Sequence, residues 1–392
     1  MADAFLTTAE LADIKAYHAP QYTFALVKLV LSGALAWGLV AAVRPLFALG
    51  SRLGEAVARR LPLPGLAQAA QRLWGGPGLA AALGFVAVLS AIDFAAYLPG
   101  DVYFGFVREQ AFGLSTQSLT SFAADYLKGT LLTNLALAAV ALGLFGLARR
   151  LRSWWLVLSV VCSGLLLVSA AIDPYRARLY FKQHPLEAGP VRERITGLMA
   201  KANIEFADVL VEETQAQSVR VQAYFAGQGP TRTIVLNDAL LEKLSPEEVL
   251  AAVAHEAGHV GEPRWPRYVA SVLALTLFLG LIEVLLRAAA ARGWWGVGAR
   301  GDIRVLPLIL AVFWLGSMLV APVAGALQRA RELEADRYGV ALTGDAAAFR
   351  GLFEKVTRIN KLDPEPPRWV VLKGWSHPPV SERLAQLDVL AH

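Results

Sequence analysis

The sequence SPEEVLAAVAHEAGHV at residues 245–260 is followed closely by YVASVLALTLFLGLIEVLL at residues 268–286. The first stretch predicts a helix of a polar domain, because Ser245 can cap it, Pro246 suits its first position and Glu248 completes a capping box. The second stretch is apolar and long enough to cross a bilayer as a helix, which takes about twenty residues. The chain is therefore predicted to join a polar helical domain directly to a membrane span.

The composition of the whole chain is that of a membrane protein. Of its 392 residues, 56% are hydrophobic and only 18% are charged, and a mean hydropathy of +0.46 is too high for an ordinary soluble protein. Buried helices of a large soluble core are the alternative, but so many long apolar runs are rare in soluble domains. We expect a mainly α-helical, polytopic membrane protein of about six spans with a small α+β domain. The spans are predicted at residues 22–43, 78–98, 129–148, 154–172, 268–286 and 305–327.

Charge and cysteine content exclude several other classes of protein. The formal charge of +5 and the pI of about 9.3 are explained by basic loops at a membrane, so we expect a lipid bilayer and no nucleic acid as partner. The single cysteine, Cys162, lies in an apolar run, which excludes a disulfide framework and a cysteine-based metal site. The first twenty residues carry acids and lack the features of a cleaved signal peptide, so the first apolar segment should be retained.

Four regions are predicted along the chain. Residues 1–172 form an N-terminal membrane region with four spans, and residues 173–267 form a soluble catalytic domain that includes the capped helix. Residues 268–328 form a transmembrane hairpin, after which residues 329–392 complete the catalytic domain. Within the polar region, sequence patterns predict a helix at 191–202, a strand at 209–212 and a hairpin of 218–225 with 232–236.

The capped helix carries the side chains of a catalytic zinc site. His255 and His259 are four residues apart, so both imidazoles project from one face and can bind one Zn²⁺ at about 2.0–2.1 Å. The neighbouring Glu256 can reach an open coordination position and act there as general base toward water. Surface histidines on an ordinary helix are disfavoured because their neighbours are small and apolar. Gly258 is costly in a helix interior, so we expect another element to pack closely against that turn.

A catalytic zinc needs a third protein ligand, and the sequence RELEAD at residues 331–336 is the best source. Glu332 and Asp336 are four apart and share a helix face, so one can bind metal while the other orients a histidine. Glu334 points away from that face. A solvated charged helix at a membrane exit is the alternative interpretation, and the pairing with HEAGH disfavours it.

HEAGH, RELEAD after a transmembrane hairpin, and SHPPVSERL at residues 376–384 together resemble the type 1 CAAX prenyl endopeptidases and the related membrane heat-shock proteases. Three further stretches resemble the same family, and the similarity covers most residues from about 78 onward. They are LPGDVYFGFVREQAFGLSTQSL (98–119), IDPYRARLYFKQHPLEAGPVRERI (172–195) and QAYFAGQGPTRTIVLNDALL (222–241). The resemblance implies a gluzincin-like zinc protease domain.

The resemblance also assigns roles to residues of this chain. It implies that His255, His259 and Glu332 bind zinc, that Glu256 is the catalytic glutamate, and that Asp336 is the acid following the third ligand. His377 matches the histidine that assists at the substrate carbonyl. The substrate-binding residues are predicted to be Gln222, Ala223, Tyr224 and Arg383.

The predicted hairpin departs from the family at one position, since Gln222 stands where the family has asparagine. An exposed strand edge here could pair with an extended peptide and lay its scissile bond over the metal. An ordinary core hairpin is an equally good interpretation from the residues alone. A second departure is the number of spans, which is about six here and seven in the eukaryotic enzymes; the missing span would precede residue 22.

Two acids, Asp93 and Glu283, fall inside predicted spans, where ionisable groups are expensive. By resemblance they could line a water-filled chamber, and otherwise they lie near an interface because the helices tilt. The alternatives stay open at this point.

We therefore expect an integral-membrane zinc metalloendopeptidase that acts on peptide or protein substrates, either in CAAX-type processing or in membrane-protein quality control. An intramembrane site-2-type protease is disfavoured because HEAGH belongs to a polar helix. A catalytically silent membrane scaffold or chaperone is the alternative function. Basic residues are about equally numerous on the two sides of the membrane, so charge does not orient the chain. The resemblance implies a multi-pass protein of an inner or plasma membrane with its catalytic domain facing the cytoplasm.

Overall fold

The computed structural model describes residues 5–60, 74, 78–176, 178 and 180–390. In chain order the helices are α1 (Thr8–Ala41), α2 (Val43–Arg60), α3 (Leu79–Val102), α4 (Arg108–Ala111), α5 (Leu119–Arg150), α6 (Trp154–Arg176), α7 (Pro190–Lys201), α8 (Asp238–Lys243), α9 (Pro246–Val260), α10 (Arg264–Arg292), α11 (Leu306–Thr343), α12 (Ala346–Asn360), α13 (Arg368–Leu372) and α14 (Val380–Leu390). The strands are β1 (Lys182–Pro185), β2 (Asp208–Glu213), β3 (Ala223–Ala226) and β4 (Thr233–Asn237). A π-helical turn, Tyr103–Val107, joins α3 to α4.

The membrane-spanning prediction is confirmed by the long apolar helices. Within the described ranges, five helical segments are long and apolar enough to cross a membrane, and they contain α1, α3, α5, α10 and α11. The remaining predicted span, 154–172, coincides with α6, whose described side chains form a shorter apolar stretch, Trp154–Val168. The chain is thus a polytopic helical membrane protein with a small mixed domain.

The two longest described helices, α11 and α1, exceed the length that a bilayer requires. Helix α11 has 38 residues and so extends about 57 Å, nearly twice the thickness of the hydrocarbon core. Its apolar half lies in the predicted span, and its polar half carries RELEAD into the polar domain. Helix α1 packs beside α11 and has 34 residues. These two helices extend from the membrane region into the polar domain and pack against each other.

Glu283 lies in a paired position that the sequence did not suggest. It is buried, and its carboxylate accepts hydrogen bonds from Trp154 Nε1 (2.6 Å), Arg287 Nε (2.6 Å) and a terminal nitrogen of Arg300 (2.7 Å). Because two guanidinium groups and an indole satisfy it, this acid fastens α10 to α6 and to the loop after α10. Asp93 is exposed on α3, and its contribution to a chamber stays a prediction.

The four strands form one sheet in the order β1-β2-β4-β3, with β2 and β4 parallel and the other pairs antiparallel. The predicted hairpin is confirmed for β3 and β4, but residues 218–222 are not a strand. Ser218 pairs with Ser115 in an isolated bridge, and the Asn237 side chain bonds the backbones of Arg220 and Gln222, while the Gln222 carbonyl makes one further backbone bond to Asn237. Strand β3 therefore lies at an edge of the sheet.

One hydrophobic core unites sequences from both sides of the transmembrane hairpin. Ile195 of α7, Leu236 of β4, Val253 of α9, Phe349 of α12 and Leu384 of α14 are all buried in it. Residues 185–260 and 340–387 thus form a single packed unit. The α10–α11 hairpin is an insertion that returns the chain to this core.

Candidate metal centre

Helix α9 begins as its sequence predicts. Ser245 Oγ accepts a hydrogen bond from the Glu248 N–H (3.3 Å), and a Glu248 carboxylate oxygen accepts one from the Ser245 N–H (2.7 Å). Lys355 of α12 donates to the same Glu248 carboxylate at 2.7 Å. The reciprocal cap, together with this contact, fixes the start of the helix that carries His255 and His259.

At Gly258 the helices α9 and α11 approach each other closely. A Cβ atom built on Gly258 would lie 2.7 Å from Ala335 Cα and 3.0 Å from Ala335 Cβ. Real carbon atoms do not come so near, so only glycine permits this spacing of the two helices. The predicted close packing at this turn is confirmed, and its consequence is that Glu332 lies beside the two histidines.

His255, His259 and Glu332 present one ligand atom each, all within 4.8 Å of one another. His255 Nε2 lies 3.3 Å from Glu332 Oε2, and His259 Nε2 lies 3.5 Å from Glu332 Oε1. In a tetrahedral zinc site with bonds of about 2.05 Å, adjacent ligand atoms are separated by about 3.3 Å. The three donors therefore lie close enough together to hold one metal ion.

The Nδ1 atom of each imidazole, which lies away from Glu332, is hydrogen-bonded to a carboxylate. His255 Nδ1–H donates to Asp336 Oδ1 at 2.7 Å, and His259 Nδ1–H donates to Glu262 Oε1 at 2.6 Å. These bonds leave both Nε2 atoms free to face Glu332 and fix the ring orientations. Glu262 was missed by the sequence reasoning, although its position three residues after His259 is a readable signal.

Arg383, which is half-buried, lies against the fully buried Asp336. Its Nε donates to Asp336 Oδ2 at 2.8 Å, and a terminal nitrogen donates to Asp336 Oδ1 at 2.6 Å. Burial alone would raise the pKa of Asp336, but this guanidinium and the His255 bond outweigh it and hold the pKa below its ordinary range. Arg383 also lines a cavity beside the metal centre. The side chain that is predicted to contact substrate is therefore the one that binds Asp336.

The remaining charges are arranged around Glu332 and Glu256. Burial raises the pKa of Glu332, but hydrogen bonds from His255 and His377 outweigh this effect and keep that carboxylate ionised. Burial lowers the pKa of His255, while its bonds to Asp336 and Glu332 more than compensate and raise it to about 9 without a metal.

For Glu256, burial dominates and raises the pKa of the carboxyl, as suits a general base. Glu334 is exposed, away from the cluster, as predicted.

Two cavities meet at His255 and His377. One, of about 490 Å³, is lined by Val221, Gln222 and Ala223, and the other, of about 730 Å³, by Phe225 and Gln228. Both are also lined by His255, Glu256, Ser376 and His377. Strand β3 thus runs from one cavity to the other past the metal centre.

The other predicted site residues have specific partners. His377 Nδ1–H donates to Glu332 Oε2 at 2.9 Å, so this histidine reaches the centre from the segment before α14. Gln222 is exposed beside the first cavity, and the Tyr224 hydroxyl donates to Glu212 at 2.9 Å. Gln328, which the sequence reasoning did not select, donates to Glu332 Oε1 at 3.0 Å and steadies this carboxylate.

Known protein families match nearly the whole chain. The sequence model of peptidase family M48 matches residues 185–391, which is more than half of the chain. The chain belongs to peptidase family M48. The N-terminal model of CAAX prenyl proteases, described as five membrane helices, matches residues 3–177. Membership of M48 makes this protein a membrane metallopeptidase that acts on peptide or protein substrates.

Several relatives of this M48 peptidase extend over similar lengths. The chain is 30% identical to the uncharacterized metalloprotease YhfN of Bacillus subtilis over 317 residues, covering 78% of this chain and 73% of that one. It is 25% identical to CAAX prenyl protease 1 of Saccharomyces cerevisiae over 340 residues, covering 80% and 73%. The crystal structure of S. mikatae Ste24p shares the fold, with a TM-score of 0.72 at 20% identity, covering 98% of this chain and 100% of that chain.

Proposed function

We propose that this M48 peptidase is a zinc endopeptidase in which His255, His259 and Glu332 hold the metal and Glu256 is the general base. The observation that carries the proposal is the spacing of 3.3 and 3.5 Å between the imidazole nitrogens and the Glu332 oxygens. That spacing fits zinc, and both outward nitrogens are already bonded to carboxylates.

Each side chain then has a defined part in hydrolysis. When bound, zinc supplies the Lewis acidity that activates water and polarises the scissile carbonyl. Glu256 accepts the proton of the attacking water and passes it to the leaving amine, for which its raised pKa is favourable. In this proposal His377 donates a hydrogen bond to the carbonyl oxygen as negative charge develops there. Asp336 and Glu262 orient the histidines.

The decisive experiment measures metal and activity in one pair of proteins. Purified wild type should contain about one zinc per chain and cleave peptides, whereas Glu256→Gln should keep the zinc and lose proteolysis. Elemental analysis and a fluorogenic peptide assay provide the two readouts. Full activity in Glu256→Gln or in metal-stripped protein would refute the mechanism, and zinc without any peptidase activity in wild type would favour the silent scaffold.

The substrate is proposed from the relatives. CAAX-type processing near a C-terminus follows if the cell prenylates its proteins, since CAAX prenyl protease 1 of S. cerevisiae is a relative. Membrane-protein quality control is the second candidate, because two relatives are Protease HtpX homolog 2 of Methanosarcina mazei and Protease HtpX homolog of Methanopyrus kandleri. Mass spectrometry of peptides trapped by Glu256→Gln distinguishes prenylated C-termini from fragments of unrelated membrane proteins.

The proposed orientation places residues 173–267 and 329–392, as one catalytic unit, on the cytoplasmic side of an inner or plasma membrane. Cysteine-accessibility labelling on a Cys162-free background tests this arrangement. Labelling of the catalytic unit by an impermeant reagent added outside intact cells would contradict it.

A further inference from the structure

The free edge of β3 has a definite hydrogen-bonding pattern. In the register of β3 with β4, Gln222 lies opposite Asn237, and its carbonyl accepts from the Asn237 N–H at 3.1 Å. The Gln222 N–H is bonded to Asn237 Oδ1 at 3.0 Å. Since antiparallel residues alternate between bonded and non-bonded pairs, Tyr224 also bonds toward β4, whereas the backbones of Ala223 and Phe225 face away.

Ala223 and Phe225 therefore offer their N–H and C=O groups to an added strand. Among the described residues, no side chain forms a hydrogen bond with the backbone of either one. Both lie along the cavities that meet at His255 and Glu256. An extended peptide pairing with this edge would pass directly by the metal centre.

Two residues before Ala223, at Val221, the same edge is already occupied. Val221 also faces away from β4, but its N–H donates to Asn360 Oδ1 at 2.9 Å, and its C=O accepts from Asn360 Nδ2 at 3.1 Å. One carboxamide thus makes the two bonds that a residue of a neighbouring strand would make. Asn360 thus takes the place of a residue in a neighbouring strand, and the N–H and C=O of Val221 are not available to a peptide.

Asn360 is held firmly in this position. It is the last residue of α12, and Lys361 follows in the left-handed conformation with φ 50°, donating its N–H to the carbonyl of buried Thr357. His18 Nε2–H of α1 donates to the Lys361 carbonyl at 2.7 Å, and the Tyr22 hydroxyl donates to Asp363 at 2.7 Å. The turn after α12 is therefore fastened to the membrane helix α1.

From this geometry we propose that Asn360 is a specificity-determining residue that ends the substrate-binding edge of β3 and so limits substrate length on one side of the scissile bond. The inference rests on the proposed endopeptidase function. A bound peptide pairs with Ala223 and Phe225 only, and a longer chain must leave the edge at Asn360. Endopeptidase action is thereby restricted to bonds within a few residues of a chain end or of a flexible turn.

The test uses the full-length protein and two series of fluorogenic peptides, in which the N-terminal or the C-terminal flank of the scissile bond is lengthened one residue at a time. For wild type, kcat/KM should stop rising at a fixed length in one series only. In Asn360→Ala, the peptides longer than that limit should gain about tenfold in relative kcat/KM, because two backbone hydrogen bonds become available at Val221. Glu354→Ala on the same helix is the matched control and should keep the wild-type length limit.

A second variant guards against a general effect on folding. Asn360→Asp keeps the shape and the acceptor for the Val221 N–H but replaces the donor by a carboxylate oxygen that repels the Val221 carbonyl. Because the side chain still occupies the edge, this variant should give a smaller shift. An unchanged length profile in both variants, or an equal loss at all lengths, would overturn the inference.

Binding of the same peptides to Glu256→Gln, with and without Asn360→Ala, separates this inference from the proposed function. If Asn360→Ala shifts the length limit in the binding assay while wild type cleaves no peptide, the endopeptidase function is refuted and the role of Asn360 is supported. Cleavage with unshifted limits in both assays would refute only the role of Asn360.

Discussion

Asp336 is fully buried and accepts a hydrogen bond from His255 Nδ1 at 2.7 Å, so that His255 Nε2 turns toward Glu332. The two acids of one helix face thus contact opposite nitrogens of a single imidazole. Glu332 lies where a metal ligand is needed, and Asp336 lies behind the ring. This relationship makes the contributions of the two acids separable by experiment.

We expect Glu332→Ala to lose tightly bound zinc and all activity, because a direct ligand is removed. Asp336→Asn should retain zinc, with affinity or activity lowered by about 10–100-fold, since it weakens the orientation of His255 and the pairing with Arg383 but removes no metal ligand. Glu334→Ala is the control on the same helix and should be nearly silent, because this side chain is exposed. Zinc titration of the three variants checks the order; loss of zinc in Glu334→Ala with retention in Glu332→Ala would reverse the assignment.

Gly258→Ala should separate α9 from α11. The added Cβ would lie 2.7 Å from Ala335 Cα, so the helices must shift and Glu332 moves away from the histidines. We expect a loss of about 1–3 kcal/mol of stability and weaker zinc binding. Gly197→Ala is the matched control: it also replaces a helical glycine, but nothing lies within 4 Å of its added Cβ. Thermal unfolding and zinc titration should show Gly197→Ala to be neutral or slightly stabilised.

Zinc binding near pH 7 should release about one proton from His255. In the metal-free protein its carboxylate partners raise its pKa to about 9, so the imidazole is protonated at pH 7, whereas a metal ligand must be neutral. Titration calorimetry in two buffers of different ionisation enthalpy measures the number of protons. Asp336→Asn, which removes one of the charges that raise this pKa, should release fewer. Equal release by both proteins would contradict this origin of the proton.

Arg383→Ala should harm zinc binding and stability more than substrate affinity. It leaves the buried Asp336 carboxylate without its two guanidinium bonds, which costs about 3–5 kcal/mol when a buried pair is broken. Asp336 would then hold His255 less firmly. The double variant Arg383→Ala with Asp336→Asn should recover part of the stability. A large rise in KM with unchanged zinc content and melting temperature would instead assign Arg383 to substrate binding alone.

The local features of the metal helix were readable from the sequence. Capping of α9 depends on Ser245 and Glu248, which are three residues apart, and the shared face of His255 and His259 depends on their spacing of four. Gly258 indicated close packing because glycine is costly inside a helix. The membrane spans follow from apolar length alone, since a bilayer requires about twenty apolar residues in a helix. Each of these properties depends on neighbours within a few turns.

Only the tertiary structure decided which distant groups meet. That Asp336 lies behind His255 while Glu332 faces it, and that Arg383 lies on Asp336, depends on how α9, α11 and α14 cross. The end of the β3 edge was likewise invisible, because Val221 and Asn360 are 139 residues apart and their two hydrogen bonds form only after α12 packs on the sheet. Spacing along a chain specifies the face of one helix or strand, but the partner of that face is determined by packing among elements that the sequence separates.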